Sequence, residues 1–137
     1  VLRPEVVRRR LEKVGEYCAI LERLRRYSLD QFRADPERYG SAERFLQLAI
    51  EALMDAASHV IAELELGVVN AGRDIPRLFR SHGDIDQDLE QRWIRMIGFR
   101  NILVHDYLEV DRAIVHDVLQ RNLEDLRLLQ KKLAEFL

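Results

Sequence analysis

Apolar residues recur at steps of three and four through long stretches of this chain, and that spacing restricts it to helices. Val7, Leu11, Val14, Cys18, Leu21 and Leu24 share one face, widened by Tyr17, and predict a first helix over about residues 4–28. Pro4 suits its opening turn, where an absent N–H leaves no internal bond unmade. Gly15 weakens the interior by about 1 kcal/mol relative to alanine and permits close packing. Leu46, Ala49, Leu53, Ala56, Val60 and Leu64, broadened by Ile50, Ala57 and Ile61, predict a second main helix over about residues 41–66. Asp35–Pro36 marks a short turn ahead of it, and Gly67 is its expected stop.

A linker over Val68–Arg73 leads to a short helical piece at Ile75–His82. Asp84, with Gln87 at capping-box spacing, is expected to open a third main helix carrying Leu89, Trp93, Met96 and Ile97. Asp111 is the expected N-cap of the final helix, whose stripe is Ile114, Val118, Leu123, Leu126, Leu129 and Leu133. Sustained period-two alternation and β-branched enrichment are missing, so strands fit poorly. The expected fold is therefore all-α, a bundle of four main helices with an additional short helix across one end. No flexible linker, low-complexity tract or fixed-period repeat divides the chain, so residues 1–137 are expected to form a single domain.

At 137 residues and 47% hydrophobic composition, the chain can bury a core without cross-links. Cys18 is the one cysteine, read as a small buried hydrophobe, which leaves neither a disulfide framework nor a cysteine metal cluster. No apolar run approaches the about 20 residues that span a bilayer, and the N-terminus lacks the succession of a signal peptide. The expectation is a cytoplasmic protein that does not enter a membrane.

The net charge of −2, with 34% charged residues of mixed sign, leaves nucleic-acid binding dependent on a local cationic footprint. Arg73, Arg77 and Arg80 are candidates for one RNA-contacting edge, and Arg92 with Arg95 for a second strip. The competing reading is a solvated charged face, with nearby acidic residues neutralising these arginines. His59, His82 and His116 form no compact ligand spacing with other histidines, cysteines or carboxylates, so no metal site is expected.

The segment Met96–Asp111, MIGFRNILVHDYLEVD, concentrates chemistry. Arg100 supplies a rigid donor fork for phosphate oxygens and for the added charge of a pentacoordinate transition state. His105 exchanges a proton near neutral pH. RNA brings its own 2′-hydroxyl, so no protein nucleophile is needed, and a histidine can deprotonate that hydroxyl or protonate the departing 5′ oxygen. Asn101 and His105, four apart, share a helical face, whereas Arg100 and His105, five apart, point less closely together. Two arrangements bring them together: a helix that ends near His105, or two subunits sharing one groove.

Arg100, Asn101, His105 and Tyr107 together resemble the motif of the HEPN superfamily, an arginine, four to six residues and a histidine. The narrower HepT-like form has asparagine after the arginine and tyrosine two after the histidine. The segments FLQLAIEALMDAASHVI and DRAIVHDVLQRNLEDLRLL also resemble that family, so residues from about 7 to 130 follow its pattern. The resemblance implies a dimeric helical toxin, an endoribonuclease that cuts RNA without a catalytic metal or cofactor. It further implies a cognate minimal nucleotidyltransferase (MNT-like) antitoxin, with ATP as the adenylyl donor and Tyr107 as the modified residue. In this reading Arg100 and His105 are catalytic and Asn101 supports the motif. The alternative is a catalytically weak helical module that binds protein or nucleotide.

Overall fold

Helix α1 (Pro4–Leu24) turns Val7, Leu11, Val14, Cys18 and Leu21 inward, and all five are buried. It lies along α3 (Pro36–Leu64), the central helix of the computed structural model, which describes residues 4–137. Between them is a helix that the sequence reading did not separate, α2 (Leu29–Arg33). Ser28 accepts from the Gln31 backbone and Gln31 accepts from the Ser28 backbone, so a reciprocal cap opens α2 after α1 has ended. The buried Phe32 ring anchors α2 to the core.

Asp35 caps α3 by accepting the Glu37 N–H at 2.9 Å, and Pro36 occupies the first turn. The signal expected to open a short turn thus opens the main helix itself, which runs unbroken through Gly40. At the other end Glu65, in the left-handed region at φ 53°, closes the helix two residues before Gly67. Leu64, in the last turn, is exposed rather than part of the inner stripe. By length and composition α3 could cross a bilayer, contrary to the expectation from its sequence. Its apolar residues are instead committed to the protein: Leu46, Ala49, Ile50, Leu53, Ala56, Ala57 and Val60 are at most 1% exposed. They pack among α1, α5, α6 and α7. Each such leucine contributes about 1.5–3 kcal/mol relative to solvent exposure.

The remaining elements are α4 (Asp74–His82), α5 (Gln87–His105), a 3₁₀ turn (Tyr107–Glu109), α6 (Arg112–Arg121) and α7 (Leu123–Ala134). Asp86, not Asp84, caps α5 by accepting the Leu89 N–H at 2.8 Å. Asp84 instead meets His82 Nδ1 at 2.8 Å, and Ile85, between Asp84 and Asp86, is buried. The expected single final helix is two helices. Asn122 closes α6 with its N–H on the Val118 carbonyl at 2.8 Å, and its amide donates to Asp125 at 3.0 Å. On α6 it is Val115 and Leu119 that face the core, and Ile114, assigned to the inner stripe from sequence, is 55% exposed.

Among the described residues the structure is all-helical, with no strand, as the apolar spacing requires. Gly15 does serve close packing. A Cβ there would meet Gln130 Nε2 at 3.1 Å, and that amide donates to the Leu11 carbonyl at 2.9 Å, tying α7 to α1.

Candidate active site

Trp93, Met96, Ile97 and Leu103 hold α5 against the core, which turns Arg100, Asn101 and His105 away from it. Arg100 does not project freely. Its Nε donates to Glu51 Oε2 at 2.8 Å and one terminal nitrogen reaches the same oxygen at 2.6 Å. The other terminal nitrogen donates to Asn101 Oδ1 at 3.0 Å. Gln47 donates to Glu51 Oε2 at 3.3 Å, so three nitrogens of two side chains converge on one carboxylate oxygen. Charge-assisted bonds of this kind hold the planar guanidinium in one orientation.

His105 is the last residue of α5, closed by the Asp106 N–H on the Ile102 carbonyl at 2.9 Å, and its ring is exposed. Five residues along a helix of 3.6 per turn separate two side chains by about 140°. Although α5 ends at His105, no hydrogen bond joins that ring to Arg100, whose guanidinium is engaged by Glu51 and Asn101 instead. Tyr107 lies in the 3₁₀ turn, 65% exposed, with Leu108 beside it at 80%. Its phenol is accessible rather than packed against the motif.

Asn101 also lines a cleft of about 310 Å³ with Gly72, Arg73, Ile94, Ile97 and Gly98. This cleft brings Arg73 beside the motif. A Cβ at Gly72 would meet the Ile97 side chain at 2.9 Å, so the glycine lets the loop lie directly on α5. The other arginines of the two expected strips are placed differently. Arg77 is 3.9 Å from Asp74, whose carboxyl is held below its ordinary value by the Ala71 and Asn70 N–H groups. Arg80 pairs with Glu90 at 3.2 Å. Arg92 pairs with Asp88 and, at 2.7 Å, with the buried Asp125; hydrogen bonds to those two carboxylates raise its pKa. Arg95 is exposed beside a smaller cleft of about 180 Å³ that includes Phe99, Val118 and Asn122.

The three other histidines are accounted for locally. His59 Nε2 lies 4.0 Å from Asp55, His82 meets Asp84, and His116 Nε2 is 2.9 Å from the Tyr27 carbonyl. No group of three or more His, Cys, Asp or Glu side chains able to hold a metal ion occurs among the described residues. Sequence reasoning missed Glu51. Its signal was a carboxylate set inside the apolar stretch Phe45–Ile61, where an unpaired charge would be costly.

Comparison with known proteins converges on one group. Residues 14–133 match the family described as ribonuclease HepT-like. The mRNA nuclease HepT of Shewanella oneidensis is 38% identical over 95 residues, 69% of this chain and 71% of that protein. The tRNA nuclease HepT of Aphanizomenon flos-aquae is 25% identical over 136 residues, 99% of this chain and 92% of that one. Among solved structures, the tri-AMPylated HEPN toxin of Shewanella oneidensis in complex with MNT antitoxin superposes with a TM-score of 0.84 at 28% identity, covering 93% of this chain and 95% of that one. A toxin–antitoxin crystal structure with AMP-PNP gives the same TM-score and identity, covering 93% and 97%.

Proposed function

Because the chain belongs to the ribonuclease HepT-like family, toxin endoribonucleases of the HEPN superfamily, we propose that Arg100 and His105 cleave RNA in a groove formed between two copies of it. The observation that carries this reading is the Arg100 guanidinium, held in place by Glu51 at the end of the helix that also presents an exposed His105. The 2′-oxygen of the substrate attacks the adjacent phosphorus and the bond to the 5′ oxygen breaks. His105 takes the proton of the attacking hydroxyl while water protonates the departing oxygen, or it protonates the departing oxygen while water takes the hydroxyl's proton. Arg100 offers N–H donors to the phosphoryl oxygens as their charge grows, and Asn101 steadies the guanidinium.

Two copies are proposed because one chain points its arginine and histidine about 140° apart. Ile102 and Ile114, 47% and 55% exposed, flank a small apolar cleft with Phe99 and Val110 and supply a surface for the second copy. Symmetry would then place the Arg100 of one copy near the His105 of the other. Arg73, beside Asn101, is the best placed of the flanking arginines to meet the RNA backbone, with Arg77, Arg80, Arg92 and Arg95 farther out along the two strips.

We further propose that a minimal nucleotidyltransferase antitoxin neutralises the toxin by transferring adenylyl groups from ATP to Tyr107. Support comes from the exposure of that phenol and from the two solved relatives, one AMPylated and bound to its antitoxin, the other holding AMP-PNP. The continuous core through α1–α7 supports one domain, and the cytoplasm is the compartment that supplies RNA, ATP and the partner. The test is cleavage by purified protein with a chelator present. Activity should persist with chelator and disappear in folded Arg100→Ala and His105→Ala proteins; full activity in both variants overturns the assignment.

A further inference from the structure

From Glu51 toward the N-terminus of α3 come Gln47, Glu43 and Tyr39 at steps of four, a path that winds about 120° round the helix by Tyr39. At the Tyr39 end it meets Arg112, in the first turn of α6, whose guanidinium carbon lies 4.3 Å from the centre of the Tyr39 ring. Arg112 differs from Arg100. Among the described residues it has no ion pair, and its Nε is buried without a hydrogen-bond partner. Such groups are rare in folded proteins, since an unpaired desolvated donor costs stability. Glu43 feels the Arg112 charge, yet burial still pushes its carboxyl above the ordinary value. The stack on Tyr39 therefore holds a cation, partly stripped of water, that no carboxylate directly neutralises.

We propose that Arg112, stacked on Tyr39, is a second RNA-phosphate contact that holds the strand beyond the phosphate being cleaved. This rests on the reading of Arg100 and His105 as the cleavage site. The twelve steps from Tyr39 to Glu51 span about 18 Å of helix, so the two arginines address different phosphates of one strand. Next to Tyr39, Arg38 lies over the Tyr27 ring at 4.0 Å but is paired with Asp35 at 3.4 Å, which leaves Arg112, among the described residues, as the cation without a carboxylate partner at this end. An arginine held by a tyrosine ring, with its fork directed by stacking rather than by a carboxylate, is suited to a phosphate. The net charge of −2 makes such local cations necessary for RNA to bind at all.

The experiment measures cleavage of an eight-nucleotide RNA and, with the His105→Ala protein, the salt dependence of its binding. Arg112→Gln should raise KM about tenfold with kcat unchanged, and should reduce the salt slope of binding by about one. Arg112→Lys should keep the salt slope and recover most of the affinity. If the glutamine protein does not fold, Tyr39→Leu, which releases the stack and keeps the charge, should raise KM in the same direction. Unchanged KM and salt slope in Arg112→Gln, or unchanged KM in Tyr39→Leu, overturn the subsite and leave the motif assignment standing. Weakened antitoxin binding with unchanged RNA kinetics assigns the arginine to a protein interface and also overturns it. Absence of cleavage by folded wild-type protein removes the motif reading, and the subsite falls with it.

Discussion

Glu51 on α3 and Arg100 on α5 are joined through two nitrogens of one guanidinium, at 2.8 and 2.6 Å, although 49 residues separate them in sequence. The motif arginine is thus aimed by a helix outside the motif. Glu51→Ala should lower kcat roughly tenfold to a hundredfold, because a fixed donor fork becomes a mobile one. Stability should change by less than about 1 kcal/mol, since both partners are partly exposed and the pair is screened by solvent. Steady-state kinetics with thermal melts separate the two effects. Wild-type kcat in the alanine protein would mean that Arg100 needs no positioning by α3.

Tyr107 is expected to act as a switch rather than as a base: it lies beyond the end of α5, in the 3₁₀ turn, with its phenol exposed. Adenylyl groups attached there would bring phosphate charge to the groove where RNA must meet Arg100. After incubation with antitoxin and ATP, wild-type protein should gain mass on Tyr107 and bind RNA much more weakly. Tyr107→Phe should fold, gain no mass and keep cutting. Equal silencing of the phenylalanine protein would refute the switch.

Ile114 is 55% exposed on α6, and the proposed second copy would cover it. Ile114→Lys should shift the protein from dimer to monomer in sedimentation and lower cleavage in parallel, while leaving the melting temperature of the monomer close to that expected from its intact core. A monomeric wild type with full specific activity at micromolar concentration would exclude the shared groove.

Cys18 is buried, and desolvation pushes its thiol up to about 11 from an ordinary 9.0. Folding therefore favours the neutral thiol. The associated stability is fully present below pH 9 and is lost as the pH rises toward 11. Denaturant melts between those limits should show stability falling with pH, and Cys18→Ala should flatten that dependence. At pH 8 a thiol reagent should modify Cys18 only when the protein unfolds. Rapid modification of native protein would contradict the burial.

Much of the architecture was legible in residue spacing, because the alternation of apolar and polar positions reports which face of each helix leaves water. Val7 to Leu21, Leu46 to Ile61 and Leu89 to Ile97 all lie where that spacing put them. The site was legible in part for a similar reason. Arg100, Asn101, His105 and Tyr107 are close in sequence, so their order on one helix and its terminal turn follows from the chain alone.

What tertiary structure decided were choices between locally equivalent signals and contacts between distant segments. Asp84 and Asp86 are both acceptable caps, and burial of Ile85 selected the second. Ile114 and Val115 are both apolar and about 100° apart on α6, and packing of that helix on α3 put only the latter in the core. Glu51 finding Arg100, and Arg112 finding Tyr39, required α3 to pack against α5 and α6. A helix's own pattern reports which face is buried; it carries no information about which residue of another helix will be waiting there, because that depends on packing among segments far apart in the chain.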